Sequence, residues 1–412
     1  MTVINYIGRL TSKNSKFLLL LPTIILISII LIPDFAFIGT EAIIITLILW
    51  LLTIITKTGQ LDRKSRNVII AALLYFLVVF LYKIIGVSQA TWEIAAGYFG
   101  YLFAIVVSLI TIQICNDKHL KAIEYTFYIV TILGILYVTQ QGNYNLRVMD
   151  VEEAISQENA AYSSLIMLFS GICFIAILNY KNRRYKYLYI IALILSINVN
   201  FAILQRGTNV IFTGLMILGI LYFRKVNQHN VYKRVILIGI ILGAIYYTGA
   251  IVPILEYVID IIPSERVASR LESIVIYFET KDIIEAGTSF TSRAQLAEQS
   301  IRTFLGSIQN FFLGVGDDRS FDSIIGNHSE IIDASARYGI IGLLLIINVF
   351  YTQFKFIKNI TTSDTAIRYQ VLVVFFMYFF RNINGNTMTS PVAFLLFMYL
   401  PIIVYFTKKE TL

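Results

Sequence analysis

Residues 63–82 read Arg-Lys-Ser-Arg-Asn-Val-Ile-Ile-Ala-Ala-Leu-Leu-Tyr-Phe-Leu-Val-Val-Phe-Leu-Tyr. A cluster of cations is followed by an apolar stretch that continues, broken by Lys83 alone, to Gly86. About 20 such residues, rising about 1.5 Å each as a helix, cross the roughly 30 Å hydrocarbon core of a bilayer. No water is available there, so the backbone must satisfy its own hydrogen bonds, and a helix does this within one segment. The pattern recurs along the chain. Apolar runs at 17–33, 38–56, 68–86, 93–115, 120–139, 160–178, 187–205, 208–223, 235–252, 338–354, 367–381 and 391–406 predict an all-α polytopic integral membrane protein of about twelve transmembrane helices. Composition agrees. Of 412 residues, 57% are hydrophobic and 14% charged, with mean hydropathy +0.75. A soluble domain carries roughly 25% charged residues, so lipid must be the solvent for much of this chain.

Charge sets the expected orientation. With the N-terminus cytoplasmic and the helices alternating, the inside segments hold Arg9, Lys13 and Lys16, Lys57 to Arg66, Lys118 and Lys121, Lys181 to Lys186, Arg224 to Arg234, Lys355 to Arg368, and Lys408 and Lys409. These are 22 of the 33 basic residues, and no short outside segment holds more than one. Short loops rich in Lys and Arg stay in the cytoplasm. Both termini are therefore expected on the cytoplasmic side of an inner membrane, with the first apolar run an uncleaved helix. Cys115 and Cys173 lie in apolar runs and read as small packing residues.

The organisation expected is nine transmembrane helices in 1–252, a large extracytoplasmic loop in 253–337, and three more transmembrane helices in 338–412. The loop has helical periodicity in 265–279 and 294–312. Ser292 fits an N-cap for the second of these, Gly314-Val315-Gly316 stops it, and Asn327, three residues before Glu330, fits the N-cap of a third helix that continues through Asp333 and Arg337 into the membrane.

Chemistry must come from few residues. His119 and His229 fall in short basic loops, whereas His328 lies outside, at the expected start of a helix. A helix N-terminus favours neutral imidazole, the form a general base needs. The outside arginines, among them Arg147, Arg206, Arg270, Arg293, Arg319 and Arg337, outnumber the outside lysines. That bias suits bidentate recognition of phosphate or carboxylate, though ordinary ion pairs would produce it too. Arg206 stands next to Gly207 between two apolar runs, where a charge is costly and is usually functional or paired. Arg293 follows the expected N-cap, where its side chain and free backbone N–H groups could share an anion. Asp317, Asp318 and Asp322 have a spacing that departs from the usual diphosphate–Mg²⁺ run and read more simply as loop residues. No metal or other cofactor is expected, and no nucleic-acid partner.

From Thr291 to Leu345 the chain reads Thr291-Ser292-Arg293, an amphipathic helix, Phe312-Leu313-Gly314-Val315-Gly316, an insert, His328, then Tyr338-Gly339-Ile340-Ile341-Gly342-Leu343. This resembles the C-terminal signature of the Wzy-type O-antigen and capsular polysaccharide polymerase and O-antigen ligase superfamily. Those proteins show S/T-G-R, a helix, a G-x-G turn, His-Asn, and G-x-x-G entering the next membrane helix. Arg206-Gly207 is similar to the family's upstream arginine–glycine pair. Ser292 stands where the family often has Gly, and Ser329 where Asn usually follows the histidine. The motif match covers about a seventh of the chain, and the membrane layout covers all of it.

The resemblance implies a GT-C-like fold and transfer of undecaprenyl-diphosphate-linked glycans on the outer face of the membrane. His328 would be the base and Arg206 and Arg293 the diphosphate ligands, with Arg270, Arg319, Arg147 and Arg337 as further substrate-binding candidates. A flippase and a chain-length regulator are the implied partners besides the bilayer. Polymerase is the expected activity and O-antigen ligase the alternative. A polysaccharide or solute transporter is a second alternative, because twelve helices with both ends inside also match the major facilitator layout. That reading is weakened by the long loop falling outside after helix nine.

Overall fold

The computed structural model describes residues 20–29, 31, 61–85, 92–142, 152–200, 207–224, 240, 248–249, 252–261, 265–280, 288–316, 325–326, 329–360, 365–383, 385 and 387–409. Among the described residues the chain is helical and contains no strand. The helices are α1 (Leu20–Ile29), α2 (Arg63–Ile84), α3 (Trp92–Ile114), α4 (Asp117–Gly142), α5 (Glu152–Asn179), α6 (Arg183–Asn198), α7 (Gly207–Tyr222), α8 (Val252–Ile261), α9 (Glu265–Thr280), α10 (Thr288–Leu305), α11 (Ile308–Leu313), α12 (Glu330–Ile360), α13 (Thr365–Ile383) and α14 (Ser390–Lys409). Seven of them are long and apolar enough to cross a membrane, within α2, α3, α4, α5, α12, α13 and α14. Helices α1, α6 and α7 fall on three more of the twelve apolar runs, while the runs 38–56 and 235–252 lie almost wholly outside the described residues.

Local chemistry sets several boundaries. The Asp62 carboxylate accepts from the Ser65 N–H at 2.6 Å, which caps α2 where the cations begin. Asn182 caps α6 through the Arg184 N–H at 2.9 Å, after a turn of only three residues. In α14 a π-helical stretch, Leu395–Tyr399, interrupts the regular ladder.

The spans alternate in direction. At one end, the Asp62 N–H donates to Gln113, Asn179 donates to Gln370 at 2.7 Å, Tyr405 donates to Asp117 at 2.6 Å, and Lys408 donates to the Ile360 carbonyl at 3.2 Å. This end carries the described basic segments. At the other end, Tyr98 bonds Glu330, Tyr82 bonds the Leu313 carbonyl, and α5, α6, α7 and α13 are joined through polar side chains described below.

The outward faces are apolar. Leu73, Leu77, Leu81, Leu133, Ile194, Leu218 and Leu344 are all exposed, Leu218 at 64%. Exposed leucine over so many helices marks a lipid-facing surface. The core centres on α5 and α14, where Phe169, Phe394, Phe397, Met398 and Tyr399 are fully buried. Lipid tails are as apolar as these side chains, so close packing and interhelical hydrogen bonds hold the bundle rather than the hydrophobic effect.

Candidate functional site

The end opposite the basic segments gathers the motif residues. Helix α11 begins at Ser307, whose hydroxyl accepts from the Asn310 N–H at 3.0 Å, and it stops at Gly314, which has φ +73°. Helix α12 bends at Gly339, where φ is +62°. That bend deprives the preceding turn of its usual i+4 donors. The orphaned carbonyls are taken up by the glycine turn: the Val315 N–H donates to the Ala336 carbonyl at 3.0 Å and the Gly316 N–H to the Arg337 carbonyl at 2.9 Å. A Cβ at Gly314 would collide with the Arg337 carbonyl, and one at Gly339 with the Phe312 carbonyl. Positive φ and backbone-to-backbone approach both require glycine here. The two glycine motifs are thus halves of one joint, where the loop locks onto the top of a membrane helix.

The start of α12 differs from the expectation. Ser329, not Asn327, is the N-cap: its hydroxyl accepts from the Ile332 N–H at 3.1 Å, and Asp333 reaches back to the Ser329 N–H at 2.8 Å. Several capping residues fall within one turn here, and the one whose partner at Asp333 is also held from outside prevails. That outside contact is Ser300 of α10, whose hydroxyl donates to Asp333 at 2.6 Å and accepts from the Gly326 N–H at 2.9 Å. The second expected cap is also displaced. Helix α10 starts at Thr288, one turn before Ser292. Arg293 therefore sits inside the helix, and its own N–H is not one of the free donors at a helix start.

Glu330 and Arg337 project from α12 into the bundle. Both are buried, Arg337 at 2% exposure, so Arg337 is an interior residue rather than part of the loop surface. Tyr98 of α3 donates to Glu330, and the charges of Glu330 and Arg337 both act on Tyr75 and Tyr98. The Tyr75 ring meets Tyr98 and Tyr338 edge-on at 5.4 and 6.2 Å, and Tyr82 meets Tyr338 at 5.2 Å. These rings clamp α12 just before its bend.

A polar chain crosses four elements beside this cluster. The Arg381 Nε–H of α13 donates to Asn209 Oδ1 at 2.8 Å. Asn209 Nδ2 donates to Ser163 at 2.6 Å, and Ser163 donates to Asn200 Oδ1 at 2.8 Å. All four side chains are buried. The next residue, Asn382, accepts at its carbonyl from the Ser329 hydroxyl at 3.4 Å and holds the Thr387 N–H through Oδ1 at 3.3 Å.

Of the residues expected from sequence, His328, Arg206, Arg319 and Arg147 lie outside the described residues, as do Asp317, Asp318 and Asp322. Arg293 and Arg270 are described as backbone within α10 and α9. Chain neighbours of His328 and Arg206 reach adjacent residues of α13. Ser329, beside His328, contacts Asn382, and Asn209, three residues after Arg206, contacts Arg381. Arg293 belongs to the helix that brings Ser300 to Asp333. No family model matches the chain, and no curated protein matches it. Sequence reasoning missed Glu330, Asn209, Asn200 and Ser163, and it gave Arg381 no role. The signal for Arg381 and Asn209 was present, as polar residues at the ends of apolar runs. A separate cavity of about 280 Å³ opens at the opposite, basic end between Asp62, Gln113, Phe356 and Lys408, far from these residues.

Proposed function

We propose that the chain is an inverting glycosyltransferase that polymerises lipid-linked glycan repeats at the outer face of the membrane. Its fold is then of the GT-C type with about twelve spans, and the basic end lies in the cytoplasm, as short basic loops favour. One observation carries the reading. The chain neighbours of His328 and of Arg206, over a hundred residues apart, are joined through the Arg381–Asn382 corner at the end opposite the basic segments.

The chemistry suits such a site. The acceptor is a sugar hydroxyl, too weak an acid to attack unaided. His328 takes its proton as the oxygen bonds to the anomeric carbon of the donor. The bond from that carbon to the diphosphate breaks, and the lipid diphosphate leaves with the electron pair. Arg206 and Arg293 neutralise the charge that grows on it, and fixed guanidinium groups stabilise such a transition state more than the ground state. Attack opposite the leaving group inverts the anomeric configuration. The exposed apolar helix faces leave room for a polyprenyl tail alongside.

The lipid profile of a strain lacking this protein tests the class of reaction. Accumulation of lipid carrying a single glycan repeat is expected of a lost polymerase. Long unattached chains would assign the protein to the ligase alternative. Unchanged glycan with lost solute uptake would refute transfer altogether and leave transport.

A further inference from the structure

The short helix α11 turns its polar and apolar groups the opposite way from a water-facing element. Inward it carries Phe311, which stacks on Phe304 of α10 at 5.0 Å, and Asn310, whose side-chain amide donates to the Thr303 carbonyl at 3.1 Å. Outward it carries Ile308, Phe312 and Leu313, with Leu305 at the end of α10; all four are exposed, Phe312 at 53%. An exposed apolar patch marks contact with a partner or a membrane. Two joints say which. The Tyr82 hydroxyl of α2 donates to the Leu313 carbonyl, and the Phe312 carbonyl lies against Gly339 of α12. Both joints fall within lipid-facing surface. Leu81, Ile84 and Ile85 around Tyr82 are exposed, Ile85 at 70%, and so are Ile341 and Leu344 just after Gly339. The chain runs on past Tyr82 with these isoleucines, so Leu313 lies below the limit of the apolar surface of α2, near the level of Lys83. A lysine at the end of a span extends its charge to the headgroups while its stem stays in apolar surroundings.

We infer that the outward face of α11, together with Leu305, is seated at the headgroup–acyl boundary of the leaflet at the motif end. The occupant is bilayer lipid, because the patch is continuous with lipid-facing surface on two spans, at Tyr82 and at Gly339. Elements seated in this way lie in the interface plane, about 5–10 Å into the headgroup–acyl boundary. Ile308, one turn farther from both joints, stands at the rim of the patch, at headgroup level. The inference is independent of the reaction proposed above. It gives the Gly314–Gly339 joint a fixed height relative to the lipid headgroups, so the loop is referenced to the membrane as well as to the bundle.

The test uses the full-length protein in liposomes of phosphatidylethanolamine and phosphatidylglycerol. Cys115 and Cys173 are replaced, and one spin label is placed at a time through Phe312→Cys, Leu313→Cys or Ile308→Cys. Leu344→Cys serves as the lipid-facing control and Glu298→Cys, in an exposed ion pair on α10, as the aqueous control. Each label is read by its collisions with oxygen, which concentrates in hydrocarbon, and with a water-soluble nickel chelate. At Phe312 and Leu313 the oxygen-to-nickel ratio is expected to exceed that at Glu298 at least threefold and to approach that at Leu344, with Ile308 between the two controls. Ratios at Phe312 and Leu313 equal to that at Glu298 overturn the inference. Low access to both reagents there places protein against this face, a second copy if labels on two chains couple magnetically, and overturns it too. A second measurement needs no substitution. The wild type is reconstituted with a phospholipid carrying a photoactivatable group near the top of its acyl chain, and its adducts are mapped by mass spectrometry. Adducts between Leu305 and Leu313 are expected; labelling around Leu344 with none in that segment overturns the inference.

Discussion

Gly339 and Phe312 touch backbone to backbone, so closely that any side chain at position 339 would strike the Phe312 carbonyl. This contact explains why two glycine-punctuated motifs separated by a long insert belong together. The first supplies N–H groups and the second supplies the carbonyls that its own bend has orphaned. Loop and membrane helix are thereby set in one register at Val315 and Gly316.

Gly339→Ala should therefore disrupt more than a local bend. At φ +62° and ψ −158°, a region essentially restricted to glycine, a residue with a Cβ is strained by on the order of 1–3 kcal/mol, and the clash with Phe312 adds to it. The expected outcome is a lowered melting temperature in detergent and faster proteolysis after Leu313. Gly97→Ala, where a Cβ meets nothing within 4 Å, should leave both unchanged.

Asp333→Ala removes the acceptor of two buried hydrogen bonds, one of which closes the start of α12. Each unsatisfied buried partner costs about 1–3 kcal/mol. Ser300→Ala removes the hydroxyl that bridges Asp333 and the Gly326 N–H and should cost a similar amount. The two residues share a bond, so the double variant should be less destabilised than the sum of the singles, which a thermal-denaturation cycle measures.

At the basic end, Glu124 is buried and accepts from Tyr180 at 2.8 Å and Tyr189 at 2.7 Å, with Lys121 at 2.8 Å on its other oxygen. The Lys121 ammonium also lies 4.0 Å from the Tyr185 ring centroid and 4.6 Å from that of Phe406. Lys121→Met should destabilise the fold by less than the ~3–5 kcal/mol of a sealed pair, because Lys121 is 21% exposed and the tyrosines remain. Adding Glu124→Gln should recover part of the loss. Polymer length from the protein that folds should not change, since this pair lies at the far end from the candidate site.

Much of the architecture was legible because membrane helices announce themselves by composition. The run from Val68 marks one span without tertiary information, and the described spans bring their basic segments to one end of the bundle. The glycine motifs were legible as punctuation but not as partners, since nothing in a sequence says that Val315 donates to Ala336. Helix starts at Ser292 and Asn327 were misplaced because Ser, Thr and Asn crowd those turns, and the choice depends on contacts such as Ser300 with Asp333. Glu330 looked like a capping residue, whereas it turns inward to Tyr98. The Arg381–Asn209–Ser163–Asn200 chain was invisible for a similar reason: its members are drawn from four helical segments up to 172 positions apart for a single bond.

The proposed sidedness rests on the basic loops and can be read directly. In a background with Cys115 and Cys173 replaced, a cysteine at Ile308, which is 81% exposed at the motif end, should react with a membrane-impermeant maleimide on intact cells. A cysteine at Tyr187, exposed near the start of α6, should react only after the membrane is broken. The reverse pattern would place the motif end in the cytoplasm.

The central proposal is that His328, the chain neighbour of Ser329, deprotonates the acceptor sugar. Its most direct test is glycan chain length made by purified protein reconstituted with lipid-linked repeat units, comparing wild type with His328→Ala. The variant should fold and bind the lipid-linked substrate yet leave it as single repeats. Polymer of wild-type length from His328→Ala would contradict the account.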